Sequence, residues 1–239
     1  MGRTYEIGEA KYPSVTSILS EYGNKDGLIQ WSANCVVDYI KDHLEDIRTG
    51  AMTIDDIDLD HAKQYYKEKS GEACNIGSSV HHYIEQWIKK ELGLPYSFIG
   101  VDAEAEKSVQ AFYDWEKENN FLPYASEMTV YSHANRYAGT LDCLARVNGK
   151  IVVLDIKTSK RHDPINSVQI AAYRKALVEM IATKRADVPI PRGCAVLRLD
   201  KITGKPDYKD YSDKYKDHWQ VFKRLIEAFY LFKKRRCGK

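Results

Sequence analysis

The chain has 239 residues, 44% of them hydrophobic, and 36 Lys and Arg stand against 34 Asp and Glu, for a formal charge of +2. That is the size and composition of one soluble domain, or of one domain with an appended helical lobe. No apolar run approaches the ~18 to 20 residues of a membrane span, and residues 1–11 lack the basic, apolar, small-residue order of a secretory leader.

The elements follow in chain order. Ser14 or Thr16 can cap a short helix reaching about Tyr22. Leu28, Trp31, Cys35, Val36, Tyr39, Ile40 and Leu44 then recur at helical spacing over 28–48. The Asp56-x-Asp58-x-Asp60 run imitates the start of a calcium loop, but His61 stands where such a loop has Gly and Lys67 where it has Glu, so it reads as an acidic helix N-terminus. Further helices are expected over 59–72, 76–92 and 102–119, each ended by Gly, Pro or Asn. His81, His82 and Glu85 fall within them; two adjacent histidines point about 100° apart on a helix, which is wrong for a zinc pair.

The character changes at Phe121. Met128, Val130 and Tyr131 form a short β-like run, 137–147 a second, and 151–156 an almost wholly apolar third, with the hairpin signal Asn148-Gly149 between the last two. Helical spacing returns over 166–181, and 193–199 reads as a buried strand. From 214 to 239 nine Lys and Arg stand against Asp217 and Glu227, so this tail carries +7 and the rest of the chain is net acidic. Trp219, Phe222, Leu225, Ile226, Phe229, Tyr230 and Phe232 give the tail an apolar helical stripe. The five cysteines (Cys35, Cys74, Cys143, Cys194 and Cys237) are odd in number and never form Cys-x-x-Cys, which supports neither a disulfide framework nor a zinc ribbon and implies reduced thiols in a cytoplasmic compartment.

The chemistry concentrates at the hairpin. In a strand, positions i and i+2 share a face, so Asp155 and Lys157 project together at the end of the core run Ile151-Val-Val-Leu154. Closing the hairpin on Asn148-Gly149 brings Asp142, in Gly139-Thr-Leu-Asp142, to the level of Asp155. Two neighbouring carboxylates require a shared proton, a basic partner or a hard divalent metal. For phosphodiester hydrolysis the metal fits, since it polarises the phosphoryl oxygen and lowers the pKa of bound water, while Lys157 orients that water or offsets transition-state charge. The alternative is an ordinary strand-end ion pair; Glu9-Ala-Lys11 and Asp207-Tyr-Lys209 match the same tripeptide in contexts without meaning.

Gly77-Ser-Ser-Val-His81, Gly139-x-x-Asp142, Asp155-x-Lys157 and Gln169-x-x-x-Tyr173, in that order, resemble the PD-(D/E)XK nuclease superfamily in its RecB-like exonuclease branch. Tyr12-Pro-Ser-Val-Thr-Ser-Ile-Leu19, followed by Leu28 and Trp31, resembles the opening of the phage RecB-like and mitochondrial genome maintenance types, a subgroup acting on single-stranded ends. The resemblance implies an α/β fold, a restriction-endonuclease-like αβββαβ core with a mixed central sheet. It implies Mg²⁺ or Mn²⁺ on Asp142, Asp155, the main-chain carbonyl of Ile156 and His81, with Lys157 as the catalytic lysine. Gln169 and Tyr173 would touch the site and the DNA backbone, and Glu127 stands where relatives often carry an acid on the first strand, either behind the metal ligands or at times as one of them. Relatives with an iron–sulfur cluster hold it on one upstream and three downstream cysteines; only Cys194 and Cys237 lie downstream here, so no cluster is expected.

The expected organisation is a helical region over 1–72 that embraces a DNA end, a nuclease core over 73–213 and a basic amphipathic helix over 214–239. Ser14 and Thr16 are expected either as helix caps or as ligands of a DNA phosphate. The activity expected is that of a metal-dependent DNA exonuclease on single-stranded or frayed ends, serving replication, recombination or repair in a bacterial or phage-infected cell. A structure-specific endonuclease on the same core and a catalytically silent DNA-binding subunit are the alternatives.

Overall fold

The computed structural model describes residues 2–23, 26–98 and 100–237, with the backbone alone at 26 and 234–237. The side chains of Cys237, Lys234, Arg235 and Arg236, and the whole of Lys239, with the basic charge expected there, lie outside what is described. The chain forms two compact units, one of residues 1–23 and 79–239 and the other of 24–78. The contacts thus divide the chain at other points than 72 and 213, because the first 23 residues and the last helix pack with the sheet.

The second unit is helical: α2 (Asp26–Asp42), α3 (Leu44–Thr49), a short 3-10 turn (Ile54–Asp56) and the first part of α4 (Leu59–Glu91). The periodic stretch 28–48 is therefore two helices, separated at His43. Asp58 Oδ1 accepts the N–H groups of Asp60 (3.0 Å) and His61 (2.8 Å), so the acidic run is indeed a helix start. The helices expected over 59–72 and 76–92 are one continuous α4. Gly71, Asn75 and Gly77 do not break it, since an internal Gly costs a helix only about 1 kcal/mol relative to Ala and no Pro intervenes.

In the first unit, β1 (Thr4–Ile7) and β2 (Ala10–Pro13) form a hairpin that the sequence did not announce. Ser14 then caps α1 (Val15–Ser20), its Oγ accepting the Ser17 N–H at 2.9 Å. After α4 and α5 (Ala103–Glu118) come β3 (Leu122–Ser132), β4 (Tyr137–Val147), β5 (Lys150–Lys157), α6 (Pro164–Ala182), β6 (Gly193–Leu199), β7 (Pro206–Asp210) and α7 (Tyr215–Cys237). The five strands are ordered β3-β4-β5-β6-β7, with β5 and β6 parallel and every other pair antiparallel, which is the mixed sheet expected. Asn148 (φ 46°) and Gly149 (φ 82°) both take the left-handed conformation that a tight type I′ hairpin requires, and the pairing Val147↔Lys150 closes directly on them.

Strand β3 begins at Leu122, well before Met128, and β7 is an edge strand of sequence PDYKD with no apolar alternation to betray it. Helix α6 is buried on nearly all sides; residues 166–173 are buried without interruption, so its spacing marks a core helix rather than an amphipathic one. It packs with Val15, Ile18 and Leu19 of α1, Leu144 and Val153 of the sheet, and Phe222 and Ile226 of α7. The α5 helix lies along the β6–β7 ribbon, with Trp115 stacked on Tyr208 at a centroid distance of 5.5 Å. No helix among the described residues is long and apolar enough to cross a membrane.

Candidate active site

The polar residues gather where the β4–β5 ladder stops. Its last pair is Cys143↔Leu154. One step further Asp142 and Asp155 stand level, and there the Asp142 Oδ2 accepts the backbone N–H of Ile156 at 2.7 Å. The carboxylate thus takes over a main-chain donor that the strand pairing leaves free. On the other side of β4, the pairs Ser126↔Cys143 and Met128↔Leu141 put Glu127 level with Asp142, and Glu127 has a left-handed backbone (φ 46°). Such a conformation is strained for a residue with a Cβ and concentrates at functional sites. Three acids therefore form a row across β3, β4 and β5.

Asp155 is 1% exposed. Its Oδ1 accepts a hydrogen bond from Gln169 Nε2 at 3.2 Å, and the same amide nitrogen donates to the Tyr173 hydroxyl at 3.1 Å, so Gln169 links the carboxylate to the tyrosine one turn further along α6. The Lys157 ammonium approaches Asp155 Oδ2 at 2.7 Å, off the hydrogen-bonding direction, so this oxygen is ion-paired yet takes no hydrogen bond. Burial pushes the Asp155 carboxyl up to about 7; Lys157 opposes that shift and Asp142 adds to it. Burial alone would lower the Lys157 pKa, but Asp155 and Asp142 hold the ammonium above its ordinary value. Burial also pushes Glu127 up to about 7, with Asp142 and Glu85 adding repulsion. The Tyr173 phenol is raised by burial and then by Asp155 and Asp142, which keeps it a neutral donor.

His81 reaches the site from α4, its Nδ1 3.7 Å from Asp142 Oδ2. Burial lowers its pKa, Asp142 and the Ile156 backbone pull it up, and Lys157 pushes it down. The net direction favours the neutral imidazole, the form that ligates metals. Among the described residues no three His, Cys, Asp or Glu side chains are drawn close enough to cage a metal by themselves. The donors nevertheless suit a hard divalent ion. The Asp142 carboxylate has the His81 imidazole 3.7 Å away and accepts the Ile156 N–H, and the buried Asp155 Oδ2 keeps a lone pair that no hydrogen bond uses.

Gly139 owes its identity to Tyr173. A Cβ at this position would meet Tyr173 Cε1 at 2.4 Å and Cζ at 3.3 Å. Gly139→Ala should therefore displace the ring, move its hydroxyl away from Gln169 and cost about 1 to 3 kcal/mol. Urea unfolding of Gly139→Ala, Tyr173→Ala and the double variant checks this: the double variant should lose less than the sum of the singles.

The other expected residues fall in two places. Ser14 is 2% exposed and its Oγ is occupied by Ser17 N–H, Ser17 Oγ and Thr16 Oγ1, the geometry of a cap, while Thr16 is exposed. His82 faces Glu85, Nδ1 to Oε2 at 3.8 Å, and Glu85 also pairs with Lys89. Cys35, Cys143 and Cys194 are buried free thiols and Cys74 an exposed one. Two residues absent from the sequence reading come to the site on the β1–β2 hairpin. The Tyr5 hydroxyl lies 2.9 Å from Thr140 Oγ1, beside Gly139, and Arg3 sits over the Tyr5 ring at 4.8 Å and draws the Glu127 pKa down. Only the turn residues Gly8-Glu9 hint at that hairpin in the sequence.

A family model for the PD-(D/E)XK nuclease superfamily matches residues 60–231, well over half of the chain and the whole run from His81 to Tyr173. A stretch of 59 residues is 39% identical to mitochondrial genome maintenance exonuclease 1 of Mus musculus. It covers 22% of this chain and 18% of that protein.

Proposed function

The chain belongs to the PD-(D/E)XK nuclease superfamily, and on that premise we propose that it is a metal-dependent DNA exonuclease acting on single-stranded or frayed ends. The observation that carries this reading is the cluster of buried Asp155 with half-buried Asp142 and Lys157 beside His81, Asp155 being held by Gln169, which also donates to Tyr173. The stretch similar to an exonuclease supports the exonucleolytic mode.

Asp142, Asp155, the Ile156 carbonyl and His81 would hold Mg²⁺ or Mn²⁺, which when bound supplies Lewis acidity at the phosphoryl oxygen and a water of lowered pKa. The remaining steps belong to the chain. Gln169 fixes the Asp155 carboxylate through Oδ1, so Oδ2 is held toward Lys157 in one orientation. Lys157, whose side chain is 25% exposed, presents an ammonium to the attacking water and to the charge that develops on the phosphoryl group. Tyr173 is a neutral phenol that can donate to a phosphate oxygen without adding negative charge to the site. Burial pushes the Glu127 carboxyl up to about 7, so near neutral pH it is only partly ionised and adds less than a full further negative charge beside Asp142. Thr16 remains the proposed phosphate contact from α1, Ser14 holding that helix start in place. The proposed setting is DNA replication, recombination or repair in the cytoplasm of a bacterial or phage-infected cell.

Incubating the full chain with 5′- and 3′-labelled single strands, a blunt duplex and a sealed circle, each in Mg²⁺, Mn²⁺ or EDTA, tests the reading. Metal-dependent loss of linear but not circular DNA is expected, with EDTA abolishing it. Cutting of the circle would replace the exonuclease by an endonuclease, and tight binding without cutting would indicate a silent subunit.

A further inference from the structure

An open cleft of about 490 Å³ begins at Lys157 and follows the loop between β5 and α6 to Asn166. Ser159, Arg161, His162 and Asp163 line it. Its composition is that of an anion site, with two permanent cations, a histidine and neutral donors against one carboxylate. That carboxylate is turned to its own helix, Asp163 Oδ1 accepting the Ile165 N–H at 2.9 Å. Arg161 is exposed and enters no ion pair among the described residues.

Two features show that the loop is built rather than merely left open. First, Arg198 of β6, which pairs in register with Lys157, donates from Nη1 to the carbonyls of Lys160 (3.2 Å) and Ser159 (3.4 Å). The same guanidinium is clamped by Asp200 at 2.9 Å and Asp207 at 3.3 Å, so the loop is pinned to the sheet. Second, the His162 side chain is only 8% exposed, and both of its ring nitrogens are buried without a hydrogen bond. Nε2 lies 3.1 Å from Asp207 Oδ2 but off the bonding direction. A buried donor group left unused is costly unless something takes it up.

We propose that this cleft is a subsite for a phosphate of the DNA strand next to the one being cut, with Arg161 and His162 as its charged and buried donors and Asn166 as a neutral one, the Ser159 hydroxyl being spent within the loop on the Arg161 carbonyl. Lys157 then lies between two phosphates, the scissile one on the Asp155 side and its neighbour on the Arg161 side. The proposal rests on the nuclease reading above and adds to it the contact that sets how the strand is placed. Phosphate contacts of this kind fix register on the backbone and carry no base preference.

The test uses the full chain and an oligonucleotide of about 20 nucleotides, made with either a 5′-phosphate or a 5′-hydroxyl. Arg161→Ala should raise KM roughly tenfold and reduce the salt dependence of binding, measured by anisotropy in EDTA, by about one unit of slope. Arg161→Lys should recover part of the loss, since charge remains without the planar fork. The penalty should be larger on the oligonucleotide than on thymidine 5′-p-nitrophenyl phosphate, which carries a scissile diester and no neighbouring phosphate. His162→Gln should act in the same direction, its melting temperature showing that the fold is kept. A penalty confined to the 5′-phosphorylated strand would identify the bound group as the terminal phosphate, and an equal penalty on both strands as a backbone phosphate. Lys184→Ala, just past the end of α6, should leave KM and slope as they are. Wild-type KM and salt slope in Arg161→Ala, or an equal loss in Lys184→Ala, would overturn the subsite while leaving the nuclease standing. A wild-type chain that neither binds nor cuts DNA would overturn both.

Discussion

Asp155→Asn is expected to reduce DNA cleavage by roughly 10³-fold or more, while single-stranded DNA still binds, as tightly as before or tighter. The substitution keeps shape and leaves an oxygen to accept the Gln169 Nε2 hydrogen bond, so the fold has little reason to change. It removes the one carboxylate that α6 holds in place and that faces both Lys157 and the Asp142 side of the row. Without metal, a carboxylate facing a phosphate is repulsive, so its loss should not weaken binding. Anisotropy with a labelled oligonucleotide in EDTA, paired with a cleavage time course in Mg²⁺, separates the two effects. Cleavage at the wild-type rate would sink the site.

Lys157→Ala is expected to lower kcat by about 10² to 10³ with a smaller change in KM, because an ammonium that stabilises developing charge acts in the transition state rather than on the bound substrate. Removing one partner of a buried ion pair usually destabilises by about 3 to 5 kcal/mol, since the other charge is left alone. Here that cost is relieved: burial has already pushed the Asp155 carboxyl up to about 7, so it can take a proton once the ammonium is gone. The circular dichroism spectrum and a cooperative melt should survive the substitution. A chain that unfolds would show instead that Lys157 is the structural half of an ordinary ion pair.

The two expectations separate roles that one cluster combines. In the proposed reading Asp155 would answer to the metal and Lys157 to the reacting group, and the 2.7 Å approach ties their pKa values together. Gln169 and Tyr173 belong to the same arrangement, and Gly139 leaves the space the ring needs.

Much of this was written in local sequence. Asn148-Gly149 specified a two-residue turn, the turn specified the register, and the register placed Asp142 level with Asp155; each step depends only on neighbouring residues and on the two-residue period of a strand. The spacing of Gln169 and Tyr173 fixed one helical face in the same way. What depended on partners distant in the chain was not legible. The β1–β2 hairpin that brings Tyr5 to Thr140 has strands of four residues with no distinctive pattern, and β7 is held by main-chain bonds to β6 and by distant partners of its side chains, Trp115 on Tyr208 and Arg198 on Asp207, that PDYKD does not announce. The union of two expected helices into α4, the left-handed turn of Glu127 opposite Asp142, and the Arg198 guanidinium that pins the loop after Lys157 are likewise outcomes of packing. Sequence by itself determined the acids, the lysine and their register, because these follow from local turn chemistry and periodicity. Tertiary structure alone decided how deeply Asp155 is buried, what stands beside it and how the loop after Lys157 is pinned, because burial and long-range hydrogen bonds exist only once separate segments have met.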